Sequence, residues 1–514
     1  MNVNLQQIIC ILMVWSGICL PVGAMTLQEA VRSGQSEKII QVLKTEPSVN
    51  RSVEWIEEGI PNSGDILHYA IITGKLDLVA YLLARGANPE LKSALGQTAL
   101  ILASENGNLE IVRLLLAKGA KINAITASGV TALTEAARYN HLNLVKFLLE
   151  KGANVNVKIS GTKTPLMWAL EEAHLDLTLL MIEKGADIHA KSESGDTPLM
   201  IASNEGYLEI VKRLLERGAD LHARTDTERT SLNLAAEMGH LDVVQLLLKK
   251  GANLNQKSEF GWNTLKWAAE KGHLDLAEFL IEKGAEINIV DGFDKTPLLY
   301  AIQEGHLDMV KLLIEKGADL KPKTEDGRTA LIVAAEFNQL EILNYLIDLG
   351  LDLNAKTHAG ETALSKAVDQ GCLECVKRLI DKGANLLEQD LEGNSLLMSA
   401  ASKGPLGLVA YLLEQGFSVK DTTSDGATAL MKAAYNGNLE IVGFLLEKGA
   451  DINARKQDGS TALIWAVRQE MSPVVNLLLS KGANPLLQDK KGYRALDYAR
   501  AAENESLTRL LQAY

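Results

Sequence analysis

The sequence repeats itself every 33 residues. A leucine followed three positions later by an alanine occurs fourteen times at this interval, from Leu67 and Ala70 to Leu496 and Ala499, without insertion or deletion. A glycine keeps the same interval from Gly86 onwards. Self-similarity at a period of about 20 to 50 residues is typical of chains that stack one supersecondary unit many times. The sequence therefore predicts one repeat array rather than several unrelated globular domains.

Each copy of the repeat has the pattern of two short helices. Thr98 is predicted to cap a first helix with its hydroxyl group, and the apolar face of that helix includes Leu100 and Ala103. Gly107 and Gly119 are predicted to end the first and the second helix, because a left-handed C-terminal residue is least costly as glycine. The small alanine lets neighbouring helices approach closely, since a larger side chain would overpack the stack.

These repeats resemble the ankyrin-repeat family. The segments GQTALILASENGNLEIVRLLLAKGAKINA (96–124) and GDTPLMIASNEGYLEIVKRLLERGADLHA (195–223) match its pattern, and the resemblance extends over residues 26–514. It implies an all-α repeat solenoid, an ankyrin-type helix–turn–helix stack with β-hairpin tips. It also implies that another protein binds through the tips and through a concave face, at the C-terminal ends of the first helices.

The array is predicted to have caps at both ends. Residues 25–66 would be an N-terminal capping repeat with an insertion, residues 67–493 inner repeats of period 33, and residues 494–514 a C-terminal capping repeat. The last unit becomes polar, as the exposed end of a solenoid must. Four tips depart from the family pattern, which leaves their conformation open, because the usual glycine is replaced by Ser63, Thr162, Glu228 and Asp294.

The first 24 residues differ from the repeats. An apolar run from Ile8 to Leu20 precedes Val22-Gly23-Ala24, the layout of a secretory signal peptide cleaved after Ala24. The run is short for a transmembrane helix. Because residues 1–24 contain no Lys or Arg, an uncleaved anchor and an incidental apolar start are alternatives. We predict an exported protein, periplasmic or secreted, with no membrane contact after the signal is removed.

The charge of the chain restricts its partners. A formal net charge of −13 and the lack of a basic face make nucleic acids and anionic membranes poor partners. Acidic residues recur near the ends of the first helices, at Glu105, Glu171, Glu172, Glu205, Glu237, Glu270, Glu304, Glu336 and Asp369. This row is either a solvated face or a field that attracts a partner with a basic surface and raises its association rate.

Large aromatic residues occur at two neighbouring tips. Phe260 and Trp262 flank Gly261, and Phe293 follows Phe260 by one period. Three exposed aromatic residues would be unusual for a monomer, and aromatic anchors often carry binding energy. We predict a partner-binding site at Phe260, Trp262 and Phe293, with an acidic rim formed by Glu237, Glu270 and Glu304. In the alternative, the rings fold back onto neighbouring hairpins.

The sequence predicts no catalytic, cofactor-binding or metal site, and we expect no enzymatic activity. It contains no G-x-S-x-G, P-loop or H-E-x-x-H motif. Adjacent helices are about 10 Å apart, too far for one row of histidines to share a zinc ion. Five histidines at the start of second helices are therefore interpreted as framework residues: His141, His174, His240, His273 and His306.

Cys372 and Cys375 form a C-x-x-C motif at the start of a second helix. Cys375 occupies the register of Ile111 in an earlier repeat, so both are interpreted as small core residues. A disulfide between them is the alternative for an exported protein. A redox role of this pair, and a role as an exported protective or regulatory subunit of an enzyme, are the alternatives to a protein–protein interaction scaffold.

Overall fold

The structure is a computed structural model that describes residues 25–57, 60–159, 163–321, 324–390 and 393–514. The predicted signal peptide, with its cleavage site after Ala24, and the substituted tip residue Thr162 lie outside the described residues. Cleavage after Ala24 and the boundaries of the two capping repeats stay predictions.

The described residues contain thirty short helices in fifteen consecutive pairs. The first helices of the pairs are α1 (Leu27–Ser33), α3 (Ile66–Ile72), α5 (Ala99–Glu105), α7 (Ala132–Arg138), α9 (Pro165–Glu171), α11 (Pro198–Asn204), α13 (Ser231–Glu237), α15 (Thr264–Lys271), α17 (Pro297–Gln303), α19 (Ala330–Glu336), α21 (Ala363–Asp369), α23 (Leu396–Lys403), α25 (Ala429–Tyr435), α27 (Ala462–Arg468) and α29 (Ala495–Ala501). The second helices are α2 (Ser36–Leu43), α4 (Leu76–Ala84), α6 (Leu109–Ala117), α8 (Leu142–Glu150), α10 (Leu175–Glu183), α12 (Leu208–Glu216), α14 (Leu241–Lys249), α16 (Leu274–Glu282), α18 (Leu307–Glu315), α20 (Leu340–Asp348), α22 (Leu373–Asp381), α24 (Leu406–Glu414), α26 (Leu439–Glu447), α28 (Ser472–Ser480) and α30 (Glu505–Gln512).

The chain divides into two compact units, residues 1–226 and residues 227–514. In the first unit, the first helices from α3 to α11 pack on one another in sequence, and in the second unit those from α13 to α29 do the same. The second helices form a less closely packed row in each unit. The predicted all-α repeat stack is confirmed.

The repeated leucine and alanine form the centre of the core. Leu265 and Ala268 of α15 are completely buried, as is Ala103 of α5. Because a first helix packs against the helices before and after it, a methyl group is the largest side chain that fits at the alanine position. The residues that recur every 33 positions are thus the ones whose side chains pack against neighbouring repeats.

Helix capping follows the sequence at most repeats and fails at Thr98. The hydroxyl oxygen of Thr131 accepts a hydrogen bond from the N–H of Thr134 over 3.2 Å, and Asn263 caps α15 in the same way. Thr98 has the extended backbone of a capping residue, but its hydroxyl forms no cap hydrogen bond. The prediction for the Thr98 side chain was therefore wrong, since the period preserves the backbone conformation and not the rotamer.

The insertion before the second repeat forms two β-strands, and no other strand occurs among the residues that the structure describes. Strands β1 (Ser52–Glu57) and β2 (Ile60–Asp65) pair antiparallel, with Ser52 opposite Asp65. Trp55 of β1 is buried and packs edge to face on Tyr69 of α3, with the ring centroids 5.6 Å apart. The sequence indicated extra residues here but not a sheet.

Two tips whose glycine is replaced keep the conformation that glycine favours. Glu228 has a φ of 60° and Asp294 a φ of 53°, both left-handed. An aspartate tolerates this region better than most residues, because its short side chain can form local hydrogen bonds. The repeat therefore imposes the tip conformation at both positions.

Candidate functional site

Two neighbouring tips, residues 257–263 and residues 290–296, bring the predicted aromatic residues together. We call them the aromatic tips. Each is closed by its own backbone hydrogen bonds, and the N–H of Gly292 donates to the carbonyl oxygen of Phe260 over 2.9 Å. Gly261 has a φ of +79°, and a Cβ atom there would lie 3.2 Å from the backbone of the second tip. Glycine thus permits the close approach of the two tips.

Phe260 and Phe293 are stacked at the surface of the aromatic tips. Their ring centroids are 6.1 Å apart and their planes differ by 24°. The exposed fractions of the two residues are 41% and 55%. Trp262 lies behind them, half-buried, with its ring centroid 5.1 Å from that of Phe260. The three predicted residues therefore meet, but only the two phenylalanines present large exposed surfaces.

A buried carboxylate holds Trp262 in place. The indole Nε1–H of Trp262 donates to Asp291 Oδ2 over 2.8 Å, and the hydroxyl of Tyr300 donates to the same oxygen over 2.6 Å. The other oxygen accepts the backbone N–H groups of Phe293 and Lys295. Burial and the hydrogen bond to Asp291 raise the pKa of Tyr300 above its ordinary range. This network holds the backbone of the second aromatic tip, which includes Phe293, in place.

Lys266 of α15 lies inside a box of aromatic rings. Its ammonium group is 3.9 Å from the ring centroid of Trp262, 4.0 Å from that of Trp267 and 4.4 Å from that of Tyr300. It also forms an ion pair with Glu270. Only 4% of Lys266 is exposed, and this burial lowers the pKa of its ammonium group, against the opposing effect of Glu270. Cation–π contacts and the carboxylate compensate the charge.

The acidic rim has a different arrangement from the one predicted. Glu270 pairs with Lys266, and Glu237 pairs with Arg229, whose guanidinium also lies 4.7 Å from the centroid of Trp267. Glu304 is exposed and accepts a hydrogen bond from the side chain of its neighbour Gln303. Glu237 and Glu270 therefore complete ion pairs of their own chain, and their carboxylates are less suited to contact a partner than that of Glu304.

Sequence reasoning missed Lys266, Trp267, Tyr300 and Asp291. One signal could have found the first of them. Lys266 lies five periods after Ile101, at the same position of the repeat, and most repeats have an apolar residue there. A lysine at a core position requires a compensating partner.

The histidines at the start of second helices link consecutive repeats. The Nε2–H of His141 donates to the carbonyl oxygen of Glu105 over 2.9 Å, and that of His273 donates to the carbonyl oxygen of Glu237 over 2.8 Å. Each ring thereby satisfies a carbonyl at the end of the preceding first helix. In the ranges that the structure describes, no group of three or more His, Cys, Asp or Glu residues could hold a metal ion.

Cys372 and Cys375 lie at the N-terminus of α22. Their Sγ atoms are 2.04 Å apart, which is bonding distance. The N–H of Cys375 donates to the sulfur of Cys372 over 3.2 Å, and Cys375 is completely buried. The pair thus occupies both the core register and the capping position, and in this structure a disulfide, the alternative to two free core thiols, joins the two residues.

The described helices are too short or too polar to cross a membrane. This finding concerns only the residues that the structure describes and does not extend to the predicted signal peptide.

Comparison with known proteins identifies the repeat. A family model described as ankyrin repeats (3 copies) matches in overlapping segments: residues 27–126, 67–159, 125–192, 158–225, 199–291, 265–357, 349–423, 397–489 and 430–513. No curated protein matches the sequence. The crystal structure of the human ASB11 ankyrin repeat domain is 25% identical, covers 43% of this chain and 99% of its own, and has a TM-score of 0.40. Ankyrin repeats are generally protein–protein interaction modules, and proteins built from them are typically non-enzymatic scaffolds. The chain belongs to the ankyrin-repeat family.

Proposed function

We propose that this protein is an interaction scaffold that binds another protein through the aromatic tips and the adjoining ends of the first helices. The observation that carries the proposal is the stacked pair of Phe260 and Phe293, exposed on two adjacent tips. Apolar rings at exposed loop positions lose contact with water when a partner covers them, and aromatic anchors often dominate binding energy.

Preorganisation supports this surface. Asp291 accepts four hydrogen bonds, from the side chains of Trp262 and Tyr300 and from two backbone groups of the second aromatic tip. Trp262 contacts both Lys266 and Phe260. A surface that is already rigid loses little conformational entropy when it binds. The buried network therefore supports the exposed rings without itself contacting the partner.

The partner is proposed to have a basic surface. Glu304 is exposed at the end of α17, and acidic residues outnumber basic ones in the chain, 65 to 52. Opposite charges accelerate association more than they strengthen the complex. We therefore expect the association rate to fall with ionic strength, while the aromatic contacts govern dissociation.

Crosslinking tests the proposed surface. A photoreactive phenylalanine analogue at position 293 should capture one protein in the native compartment, whereas the same analogue at position 95 should not. Leu95 is the matched control because it occupies the equivalent tip position and is 80% exposed. Phe260→Ala should then weaken binding of the identified protein by about 2 kcal/mol. Equal capture at both positions would contradict the assignment of the surface.

We further propose that the protein is exported and cleaved after Ala24, on the basis of the apolar segment and its small terminal residues. N-terminal sequencing of the exported protein should begin at Met25. Intact Met1 in the soluble exported fraction would rule out cleavage.

A redox role of Cys372 and Cys375 is the second candidate, favoured by their C-x-x-C spacing at the N-terminus of α22. Replacing both by serine separates the two functions. Under the scaffold proposal the double variant keeps its affinity for the crosslinked protein, because α22 is distant in sequence from the aromatic tips. Loss of all cellular effect with unchanged binding would instead support the redox role. A protective or regulatory subunit of an enzyme would use the same surface, and the identity of the captured protein decides that alternative.

A further inference from the structure

We infer that the group recognised at the aromatic tips is an arginine side chain of the partner, stacked on the Phe260–Phe293 pair and paired with acidic tip residues. This inference rests on the proposed function and adds the chemistry of the ligand to it.

Cations and aromatic rings form one cluster within the second unit. The Arg229 guanidinium lies over Trp267, the Lys266 ammonium contacts both Trp267 and Trp262, whose rings pack edge to face, and the two phenylalanines adjoin Trp262. Inside the protein, the tryptophan rings in this cluster already contact a cation. The outermost rings, Phe260 and Phe293, are the exposed end of the cluster. A cation of the partner would form the same kind of cation–π contact with these two rings.

The outer positions of the tips are acidic. Residues 227–228, 259–261, 292–294 and 325–327 include five acidic residues and no lysine or arginine. Asp326 is paired with Arg328. Glu259, Asp294 and Glu325 take part in no ion pair among the residues that the structure describes. A cationic ligand would therefore meet carboxylates around the two rings and no competing positive charge at the outer positions.

Phe293 has open space beside it. An open groove of about 570 Å³ runs between the second aromatic tip and the next tip, and Phe293, Tyr300 and Glu325 line it. The two cations in its wall are engaged within the protein. Lys295 donates to the side-chain oxygen of Gln303 over 2.7 Å, and Arg328 forms ion pairs with Asp326 and Glu336. The groove therefore offers open volume for a partner side chain beside Phe293.

Arginine fits this surface better than lysine. A guanidinium group is planar, so it can lie flat on an aromatic face while its edge donates to carboxylates. It is also less strongly hydrated than an ammonium group, which lowers the cost of stacking at an exposed site. The internal Lys266 is a different case, because it is buried and has three rings and a carboxylate around it.

Two peptide probes of equal charge test the inference. Calorimetric titration with acetylated, amidated (Gly-Arg)4 and (Gly-Lys)4 should show tighter binding of the arginine peptide by about fivefold. Phe293→Ala should abolish this preference by weakening the arginine peptide alone. Glu325→Gln should weaken both peptides alike, because it removes charge and no stacking surface. Leu95→Ala, the matched tip variant in the first unit, should change neither affinity.

The outcomes separate this inference from the proposed function. Equal affinity of the two peptides for the wild-type protein, or an arginine preference that survives Phe293→Ala, overturns arginine recognition. If the arginine preference fails in this way but Phe293→Ala still weakens binding of the crosslinked partner, the interface is correct and its ligand is not arginine. If Phe293→Ala affects neither the peptides nor the partner, both proposals fail. Melting temperatures of all variants, expected to be unchanged, exclude misfolding as the cause.

Discussion

The tip that contains Leu95 and the aromatic tips occupy equivalent positions of the repeat and have different chemistry. Leu95 is a lone exposed apolar residue, 80% accessible, between an alanine and a glycine. Phe260 and Phe293, five and six periods later, stack on one another beside acidic residues. The backbone turn is the same in both, so the difference resides in the side chains that the repeat leaves free to vary.

The contrast continues inside the first helix. In α5, Ile101 and Leu102 are buried apolar residues. At the equivalent positions of α15, Lys266 and Trp267 form the cation–aromatic cluster. The framework leucine and alanine are unchanged between the two helices. We conclude that framework positions determine the fold and that the positions between them determine the surface, and four predictions examine this separation.

The largest effect is expected at a framework leucine. Leu265→Ala should destabilise the protein by about 2–5 kcal/mol, because the side chain is completely buried and leaves a cavity. Leu100→Ala should cost a similar amount in the first unit, since the framework is the same. Each change should convert a single denaturant transition into two, by uncoupling repeats on either side. A single unchanged transition, or a large difference between the two variants, would contradict an equivalent framework.

The next effect distinguishes Trp262 from Phe293. Trp262→Ala should cost about 1–3 kcal/mol, because buried Asp291 loses a donor and Lys266 loses one ring. Phe293→Ala should change stability by less than about 0.5 kcal/mol, as expected for an exposed side chain. Thermal unfolding of both variants measures this. An unchanged melting temperature of Trp262→Ala would show instead that Trp262 is an exposed binding residue that contributes little to stability.

A smaller effect tests the framework turn between the two helices of a repeat. Ala173 has a φ of 59° where Gly107 has 68° at the equivalent position of an earlier repeat. Ala173→Gly should stabilise the first unit by about 1 kcal/mol, because it removes the steric cost of a left-handed residue. Gly107→Ala should do the opposite, and its Cβ would lie 2.5 Å from the ring of His141. Chemical denaturation should show changes of opposite sign in the free energy of unfolding for the two variants. Changes of the same sign would show that the two turns are not under the same conformational constraint.

The smallest effect concerns pH and a third residue at the position of Ile101 and Lys266. His68 is buried in α3, and its Nε2–H donates to the carbonyl oxygen of Leu91 over 3.1 Å. Burial lowers the pKa of His68 below 6.5. As the pH falls through 6.5, the unfolded chain therefore binds a proton that the folded chain does not, and stability decreases.

Replacing the imidazole should remove this loss of stability. His68→Ile introduces the residue found at the equivalent position of α5, so the difference in melting temperature between pH 7.5 and pH 5.5 should shrink. His358→Gln, at an exposed tip, is the matched control and should keep the wild-type difference. An identical pH dependence in all three proteins would show that His68 does not titrate between these values.

The sequence by itself determined the repeat, its two helices, the buried Leu and Ala positions and the adjacency of Phe260 and Phe293. These follow from periodicity, because stacking places equivalent residues of successive units next to each other. The framework role of the histidines was also predictable, since a residue at a fixed point of the period has a fixed neighbour one period earlier, as His141 has in Glu105.

Only the tertiary structure decided how the variable side chains pair. It separated Trp262, tied to Asp291, from the exposed phenylalanines, and it placed Glu237 and Glu270 in ion pairs with Arg229 and Lys266. The period shows which positions are neighbours. Whether a lysine at a core position turns outwards or lies among three rings depends on rotamers, distances and local dielectric, which are properties of the packed chain and not of residue spacing.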